Sequence, residues 1–252
     1  MSLKTKNGFN YTDNEVDVRF GSFGQQQYTI QSGGNNGDWG YYFIGNRYKE
    51  DGWRDFSKSE LKQALASFSY QNDNNYVELL LAANDNTMTG NGAAPEELMA
   101  IEGREAVYTH PDQTNNDYKI ISLSSDSIIN EQLSFQANAY YRQNKINSIN
   151  GDDSDYEDCD FGAGETLCEE DEEDGSLTMV NFVGYDEASL FSNISSIDAD
   201  EVDGTLNDGA TDNTSYGFAT QLIHLTSFDR YEQEVIFGLG MDKADVNFNS
   251  NT

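Results

Sequence analysis

The stretch LSFQANAYY, residues 133–141, alternates apolar and polar side chains more regularly than any other part of the chain. Its odd-numbered residues are Leu, Phe, Ala, Ala and Tyr, and its even-numbered residues are Ser, Gln, Asn and Tyr. Because successive side chains of a β-strand point to opposite faces, this period of two predicts a strand with one apolar face. The same alternation occurs in membrane β-barrels and in half-buried strands of soluble proteins.

Other segments with alternating or continuous apolar residues predict an all-β fold, an up-and-down antiparallel meander of about eight strands in total. Gly21 and Gly24 predict a bulge or bend inside the first of them. The other predicted strands cover residues 16–31, 39–48, 61–71, 76–83, 118–125, 216–226 and 235–242.

The connections between these strands alternate between short and long. Short turns are predicted at residues 33–38, 72–75, 130–132 and 229–233, and long loops at 47–58, 85–116 and 143–214. Because alternate connections of a meander emerge at opposite ends, all the long loops lie at one end. Short periplasmic turns and long extracellular loops are typical of outer-membrane barrels. The sequence therefore predicts an N-terminal tail over residues 1–14 and a partial transmembrane β-barrel over residues 15–252.

A barrel of this kind has an apolar outer band between two aromatic girdles. The residues predicted to face lipid are Leu133, Phe135, Ala137, Val235, Phe237 and Leu239. The residues predicted to form an interfacial girdle are Trp39, Tyr41, Phe43, Trp53, Tyr140 and Tyr141.

Composition narrows the classes of partner. The formal charge is −31 over 252 residues, which argues against a nucleic-acid surface because such a surface needs a basic patch. No apolar run is long enough for a membrane helix, and residues 1–20 lack the apolar core of a secretory signal. An exported protein would then need a signal that lies outside this sequence.

The third long loop is strongly acidic. Thirteen acids lie between Asp152 and Asp174, and no Lys or Arg occurs from Ile146 to Asp229. Cys159 and Cys168 lie inside this block, and a disulfide between them would fit an oxidising compartment. Two free thiols are the alternative.

The same block offers oxygen ligands for a hard cation. Calcium takes six to eight oxygen ligands, and several neighbouring carboxylates can supply part of such a set. A solvated acidic loop with no bound ion is the alternative, and no other cofactor is expected. The candidate ligands are Asp152, Asp153, Asp155, Asp158 and Asp160.

Catalytic motifs do not emerge from the sequence. His110 and His224 are far apart and have no neighbouring nucleophile motif, and no phosphate-binding glycine loop or zinc-type spacing occurs. We therefore expect the protein not to be an enzyme.

Several stretches together resemble the barrel of TonB-dependent outer-membrane receptors. They are EDGWRDFS at 50–57, NDNTMTGNGAAP at 84–95, YTHP at 108–111, NAYYR at 138–142, NGD at 150–152, GFATQL at 217–222 and the segment 238–246. The resemblance implies active import of a scarce ligand, such as a ferric siderophore, cobalamin or an oligosaccharide. It also implies a location in the cell outer membrane of a Gram-negative bacterium.

The chain is expected to cover only part of a receptor of that family. We find no plug domain, TonB-binding box or export signal in it, and barrels of this class have about 22 strands. The implied partners are outer-membrane lipid, the receptor's own plug and remaining strands, the TonB complex acting through the plug, and the imported ligand. We expect a barrel fragment that does not transport by itself. The alternative is a secreted soluble β-protein with a calcium-binding acidic loop.

Overall fold

Nine strands pair in chain order into one open antiparallel sheet. The computed structural model describes residues 5–153, 156–160, 165–170, 177–179, 204–228 and 231–251. The elements, in chain order, are β1 (Asn14–Phe20), β2 (Gln26–Asn36), β3 (Trp39–Glu50), β4 (Ser59–Gln71), β5 (Asn75–Thr89), α1 (Glu96–Glu102), β6 (Asp112–Asn130), β7 (Leu133–Asp153), β8 (Tyr156–Asp160), β9 (Glu165–Glu170), β10 (Leu177–Met179), β11 (Gly204–Phe228) and β12 (Tyr231–Asn251). Strands β8 to β10 form a separate three-stranded sheet, and the other nine follow the order β1-β2-β3-β4-β5-β6-β7-β11-β12.

The all-β meander predicted from the sequence is confirmed, with one strand more than expected in the main sheet. The segment 16–31, predicted as one bent strand, is a hairpin of β1 and β2. Phe23 and Gly24 both adopt positive φ, 58° and 70°, and this reverses the chain instead of bending it. The new turn lies at the long-loop end, where the Asp51 N–H donates to the carbonyl oxygen of Phe23 at 2.9 Å.

Four strands extend far beyond the apolar stretches that predicted them. β6, β7, β11 and β12 contain 19, 21, 25 and 21 residues. The loops are correspondingly shorter, because β7 ends at Asp153 and β11 begins at Gly204 within the predicted loop 143–214. Polar residues such as Asn144 and Asn213 pair in register there. Main-chain hydrogen bonds satisfy the backbone whatever the side chains are, so the strands continue without apolar alternation.

The sheet has two chemically different faces. One, the apolar face, is defined by the register row Tyr41, Phe68, Leu79, Leu123, Ala139, Phe218 and Met241. The other, the polar face, is defined by the neighbouring row Tyr42, Ser67, Leu80, Ser122, Tyr140, Gly217 and Asp242. The alternation of residues 133–141 therefore holds across seven consecutive strands.

The apolar face is not covered by any described part of the chain. Among the described residues, Tyr42 and Ala106 are the only buried hydrophobic ones, whereas Phe237 is 72% and Leu239 is 63% exposed. The residues 133–141 match the 9–11 residues with which a tilted strand crosses a bilayer. Among the helices of the described residues, none is long and apolar enough to cross a membrane.

Candidate functional site

The polar face carries a row of uncharged polar side chains across seven strands. They are Thr29, Asn46, Gln63, Asn84, Tyr118, Asn144 and Asn213, one from each of β2 to β7 and from β11. At its β2 end the Thr29 hydroxyl donates to Asn46 Oδ1 at 2.9 Å, and Asn46 Nδ2 donates to Gln63 Oε1 at 3.4 Å. A surface of amides and hydroxyls both donates and accepts hydrogen bonds, so it is suited to a hydrated or hydroxylated contact.

A pocket of about 430 Å³ opens on this face near the short turns. We call it the Gln136 pocket, and its polar-face lining comes from β5, β6, β7 and β11: Tyr76, Ser124, Asp126, Gln136, Asn138, Ala219 and Gln221. Gln136 Nε2 donates to Asp126 Oδ2 at 3.1 Å, and Gln221 Nε2 donates to Gln136 Oε1. The described lining contains one carboxylate and no Lys, Arg or His.

Acids outnumber bases on the polar face of the described strands. The register places Arg19 and Arg142 on it as the bases. Arg19 pairs with Asp17 at 2.8 Å, and Arg142 Nε donates to the Ser215 hydroxyl at 3.0 Å. The acidic residues that the register places on the polar face are Glu15, Asp17, Glu50, Glu78, Asp112, Asp126, Asp152, Glu234 and Asp242.

The segment 5–13, predicted as a tail, lies across the polar face at the short-turn end. Asn7 Nδ2 donates to the Tyr76 hydroxyl at 2.9 Å, and Asn35 Nδ2 donates to the Gly8 carbonyl at 2.9 Å. Sequence reasoning missed this contact because the segment has no periodic pattern. The available signal was the glycine content of β2 and β3 opposite it.

Glycines allow this backbone to approach the sheet closely. A Cβ on Gly8 would lie 2.3 Å from the Gly34 carbonyl oxygen and 2.4 Å from the Tyr41 nitrogen. A Cβ on Gly40 would lie 3.0 Å from the Phe9 ring. Because two of these neighbours are backbone atoms that cannot rotate away, the segment docks only with glycine at position 8.

Tyr11 anchors the middle of the docked segment. Its ring packs edge-on against Tyr42 with the ring centroids 5.4 Å apart, and the Lys6 ammonium lies 4.1 Å from the Tyr11 centroid. Its hydroxyl donates to Glu15 Oε2 at 3.3 Å. Burial, followed by the Glu15 charge, raises the pKa of the Tyr11 hydroxyl.

The β3–β4 and β5–β6 loops are joined at the opposite end of the sheet. Arg54 donates to the carbonyl oxygens of Gly92 at 2.7 Å and Ala106 at 2.8 Å. Phe56 stacks on His110 with the ring centroids 4.0 Å apart. These contacts join the two loops into one structural unit, although the sequence analysis treated them as separate loops.

The structure places the predicted surface residues as follows. Trp39, Tyr41, Phe43 and Tyr141 have the parity of the apolar face, and Trp53 is 54% exposed in the β3–β4 loop. The assignment of Tyr140 to the same girdle was wrong, because adjacent residues of a strand face opposite ways and Tyr140 donates to Asp242 on the polar face. The six residues predicted to face lipid, Leu133, Phe135, Ala137, Val235, Phe237 and Leu239, all share the apolar parity.

The predicted chemistry of the acidic block lies mostly outside the described residues. The backbone register sets Cys159 opposite Thr166 and Cys168 opposite Glu157, but the structure does not describe either cysteine side chain. The disulfide therefore stays a prediction. The predicted calcium ligands Asp153, Asp155, Asp158 and Asp160 also stay predictions, because their side chains are not described. Asp152 lies on β7 opposite Thr205. Among the described residues no group of His, Cys, Asp and Glu is arranged to hold a metal ion.

Comparison with known proteins identifies the fold. No protein-family model and no curated protein matches the chain. The solved structures that it resembles include the ferric-catecholate import receptor Fiu from E. coli, with 12% identity and a TM-score of 0.66 over 96% of this chain and 35% of that one. They also include the outer-membrane ferripyoverdine receptor of Pseudomonas aeruginosa, with 8% identity and a TM-score of 0.63 over 95% of this chain and 29% of that one.

A third similar structure is the ferric citrate transporter FecA, with 11% identity and a TM-score of 0.62 over 94% of this chain. The chain spans 29% of FecA and thus about a third of the length of the three receptors. The three alignments cover 94% to 96% of this chain, which confirms at the level of fold the resemblance drawn from the sequence. The chain has the fold of part of the β-barrel of TonB-dependent outer-membrane receptors.

Proposed function

We propose that this chain forms part of the barrel wall of a TonB-dependent receptor that imports a scarce ligand across a Gram-negative outer membrane. The observation that carries the proposal is the exposed apolar face opposite a polar one. Outer-membrane barrels place apolar residues toward lipid and polar residues toward the lumen. In this arrangement Leu133, Phe135 and Ala137 contact lipid, as do Val235, Phe237 and Leu239.

The remaining partners follow from the same proposal. Barrels of this class have about 22 strands, so nine supply only part of the wall. The unpaired edges of β1 and β12 need further strands, because hydrocarbon does not satisfy exposed backbone groups. A plug in the lumen and a TonB complex acting through that plug would supply the energy for import. The ligand is a ferric siderophore, cobalamin or an oligosaccharide, and the chain alone is not expected to transport it.

Refolding tests this proposal against the alternative of a secreted soluble protein. The chain, with and without the further strands of the barrel, is transferred from urea into detergent micelles, into phospholipid bilayers and into plain buffer, and its β-sheet content and thermal unfolding are followed by circular dichroism. We expect folding only with detergent or lipid, because the exposed apolar face has no cover in water. A cooperative thermal transition in plain buffer would contradict the barrel proposal and favour the soluble one.

A further inference from the structure

We propose that the apolar face binds an anionic phosphorylated lipid of the leaflet at the long-loop end. The phosphate contacts Arg47, Lys62 and Lys119, and an acyl chain of the same lipid lies in a groove beside them. The inference rests on the proposed function and adds a specific lipid partner to it. The apolar face looks away from the lumen and the groove lies over β2 to β6, so neither a plug nor further strands next to β1 and β12 cover it.

Basic side chains on the apolar face are confined to one border of the apolar band. All those on the described strands lie between the row Tyr41 to Met241 and the long loops, and none lies on this face toward the short turns. Of the 14 Lys and Arg residues in the chain, they are Arg47, Lys49, Lys62, Lys119, Lys145 and Lys243. Cations at one border favour a phosphate-bearing leaflet at that end, because Lys and Arg form charge-assisted hydrogen bonds with phosphate.

A groove of about 620 Å³ runs along this border across β2 to β6. We call it the Gly45 groove. Its floor is a register row of small side chains, Gly45, Ala64 and Ala83, which ends at Ile30 on β2 and at Lys119 on β6. Because these floor residues are apolar and leave the space above them unfilled, a hydrocarbon chain gains packing contacts there. The next row toward the long loops forms the rim: Tyr28, Arg47, Lys62, Asp85 and Asp117.

The lining of the Gly45 groove is basic for so acidic a chain. It contains three bases, Arg47, Lys62 and Lys119, and two acids, Asp85 and Asp117. The whole chain has a formal charge of −31, and the Gln136 pocket on the other face has one acid and no Lys, Arg or His. The excess of bases on the rim is the charge complement of a phosphate group.

The bases of the rim keep their charged ends accessible. Arg47 pairs with Glu60 at 2.7 Å, yet its side chain is 57% exposed. Lys119 pairs with Asp117 at 3.1 Å and is 62% exposed. The Lys62 ammonium lies 3.6 and 3.8 Å from two carboxylates, and both distances are longer than a hydrogen bond. Because exposed ion pairs add little stability, a lipid phosphate can join or replace these carboxylates as partner of the bases.

Lipid binding to the assembled barrel tests the inference. The chain, folded with the further barrel strands in nonionic micelles, is titrated with bisphosphorylated lipid A and with phosphatidylcholine, whose head group has no net charge. Native mass spectrometry counts the bound lipid. We expect lipid A to bind at least about tenfold more tightly, and equal binding of the two lipids overturns the inference. Inorganic phosphate at constant ionic strength should not displace lipid A, because it cannot fill the groove, and displacement would refute the acyl-chain contact.

A pair of charge substitutions locates the phosphate. Lys62→Gln should weaken lipid A binding by about tenfold, because a hydrogen bond between charged groups is lost. Lys145→Gln is the matched control, since Lys145 lies in the same register row but outside the groove, is 58% exposed and pairs with Asp212 at 3.0 Å. It should leave binding within about twofold of wild type. Equal effects of the two variants would show a general attraction to the basic border and refute the groove.

Filling the groove tests the acyl-chain contact without a change of charge. A Cβ on Gly45 would meet only the Ile30 side chain, at 3.7 Å, so Gly45→Phe fits the backbone and occupies the groove. It should weaken lipid A binding by about tenfold or more. Unchanged binding would refute the contact. Ala64→Phe, on the same floor, repeats the test, and the thermal transition of each variant in phosphatidylcholine establishes that it folds.

The failure of this inference can be told apart from failure of the proposed function. A chain that folds only with detergent or lipid but binds lipid A and phosphatidylcholine equally refutes the lipid site and leaves the barrel intact. A chain that folds cooperatively in plain buffer refutes the barrel, whatever lipid it binds.

Discussion

Placing a charge on each face of one strand tests which face contacts lipid. Ala139 and Asn138 are adjacent, both exposed and on the same central strand, but they belong to opposite faces of the sheet. Ala139 lies in register between Leu123 and Phe218, whereas Asn138 lines the Gln136 pocket. Ala139→Arg and Asn138→Arg therefore add the same side chain to similar positions that differ only in the proposed solvent.

The position of Ala139 in the apolar band sets the expected magnitude. It lies two residues, about 7 Å along the strand, from the centre of the band at Ala137. With a strand tilt of about 45°, this is about 5 Å from the bilayer midplane. An arginine on the lipid face costs about 2–4 kcal/mol at the midplane and less toward the interfaces. We expect about 2–3 kcal/mol for Ala139→Arg, or roughly a 30- to 150-fold smaller ratio of folded to unfolded chain.

Urea unfolding in bilayers, with the further barrel strands present, measures this difference. The fluorescence of Trp39 and Trp53 reports the transition, and the free energy of unfolding is compared for the wild-type chain and the two variants. Asn138→Arg should stay within about 0.5 kcal/mol of wild type, as a surface substitution in a watery lumen would. Equal destabilisation by the two variants, or a larger loss from Asn138→Arg, would refute the assignment of the faces.

Three further predictions concern other parts of the chain. Gly8→Ala should release the segment 5–13 and speed its amide hydrogen exchange, whereas Gly92→Ala, where no atom lies within 4 Å of a new Cβ, should leave that exchange unchanged. Arg54→Gln should lower the local opening free energy of residues 90–111 by about 1.5–3 kcal/mol, because charge-assisted hydrogen bonds to two carbonyl oxygens are lost. Amide hydrogen exchange across residues 90–111 measures this free energy, and unchanged protection there would contradict the prediction. Thiol titration of the exported, unfolded chain should find Cys159 and Cys168 unreactive until a reductant is added, and two reactive thiols beforehand would exclude the disulfide.

The sequence predicted the elements whose side chains alternate in polarity. Residues 133–141 and 235–242 lie in β7 and β12 with the expected parity, because burial or lipid contact on one face imposes the period of two. The strand ends were not predictable in this way. Beyond Tyr141 most of the paired residues are polar on both faces, so their pairing rests on backbone hydrogen bonds, which leave no periodic trace in the sequence.

The site was less predictable than the fold for a related reason. The Gln136 pocket is assembled from four strands that lie up to 145 residues apart in sequence, from Tyr76 to Gln221. Its residue types are those of any watery strand face, and no short motif marks them. The Tyr140 error has a local cause. Tyr140 and Tyr141 were assigned to one face, although adjacent residues of a strand point to opposite faces.

The short-turn end gathers features that appeared unrelated in the sequence. The Tyr76 hydroxyl accepts a hydrogen bond from Asn7 of the docked segment, and the same residue lines the Gln136 pocket. The pocket and the segment therefore share one side chain, and both rest on the polar face. The apolar face has no comparable contact with any described segment, although it exposes larger hydrophobic side chains. In water the hydrophobic effect would favour the opposite arrangement, with the chain's own segments covering the apolar face. A covering segment on the polar face instead supports the proposal that the apolar face has lipid as its solvent.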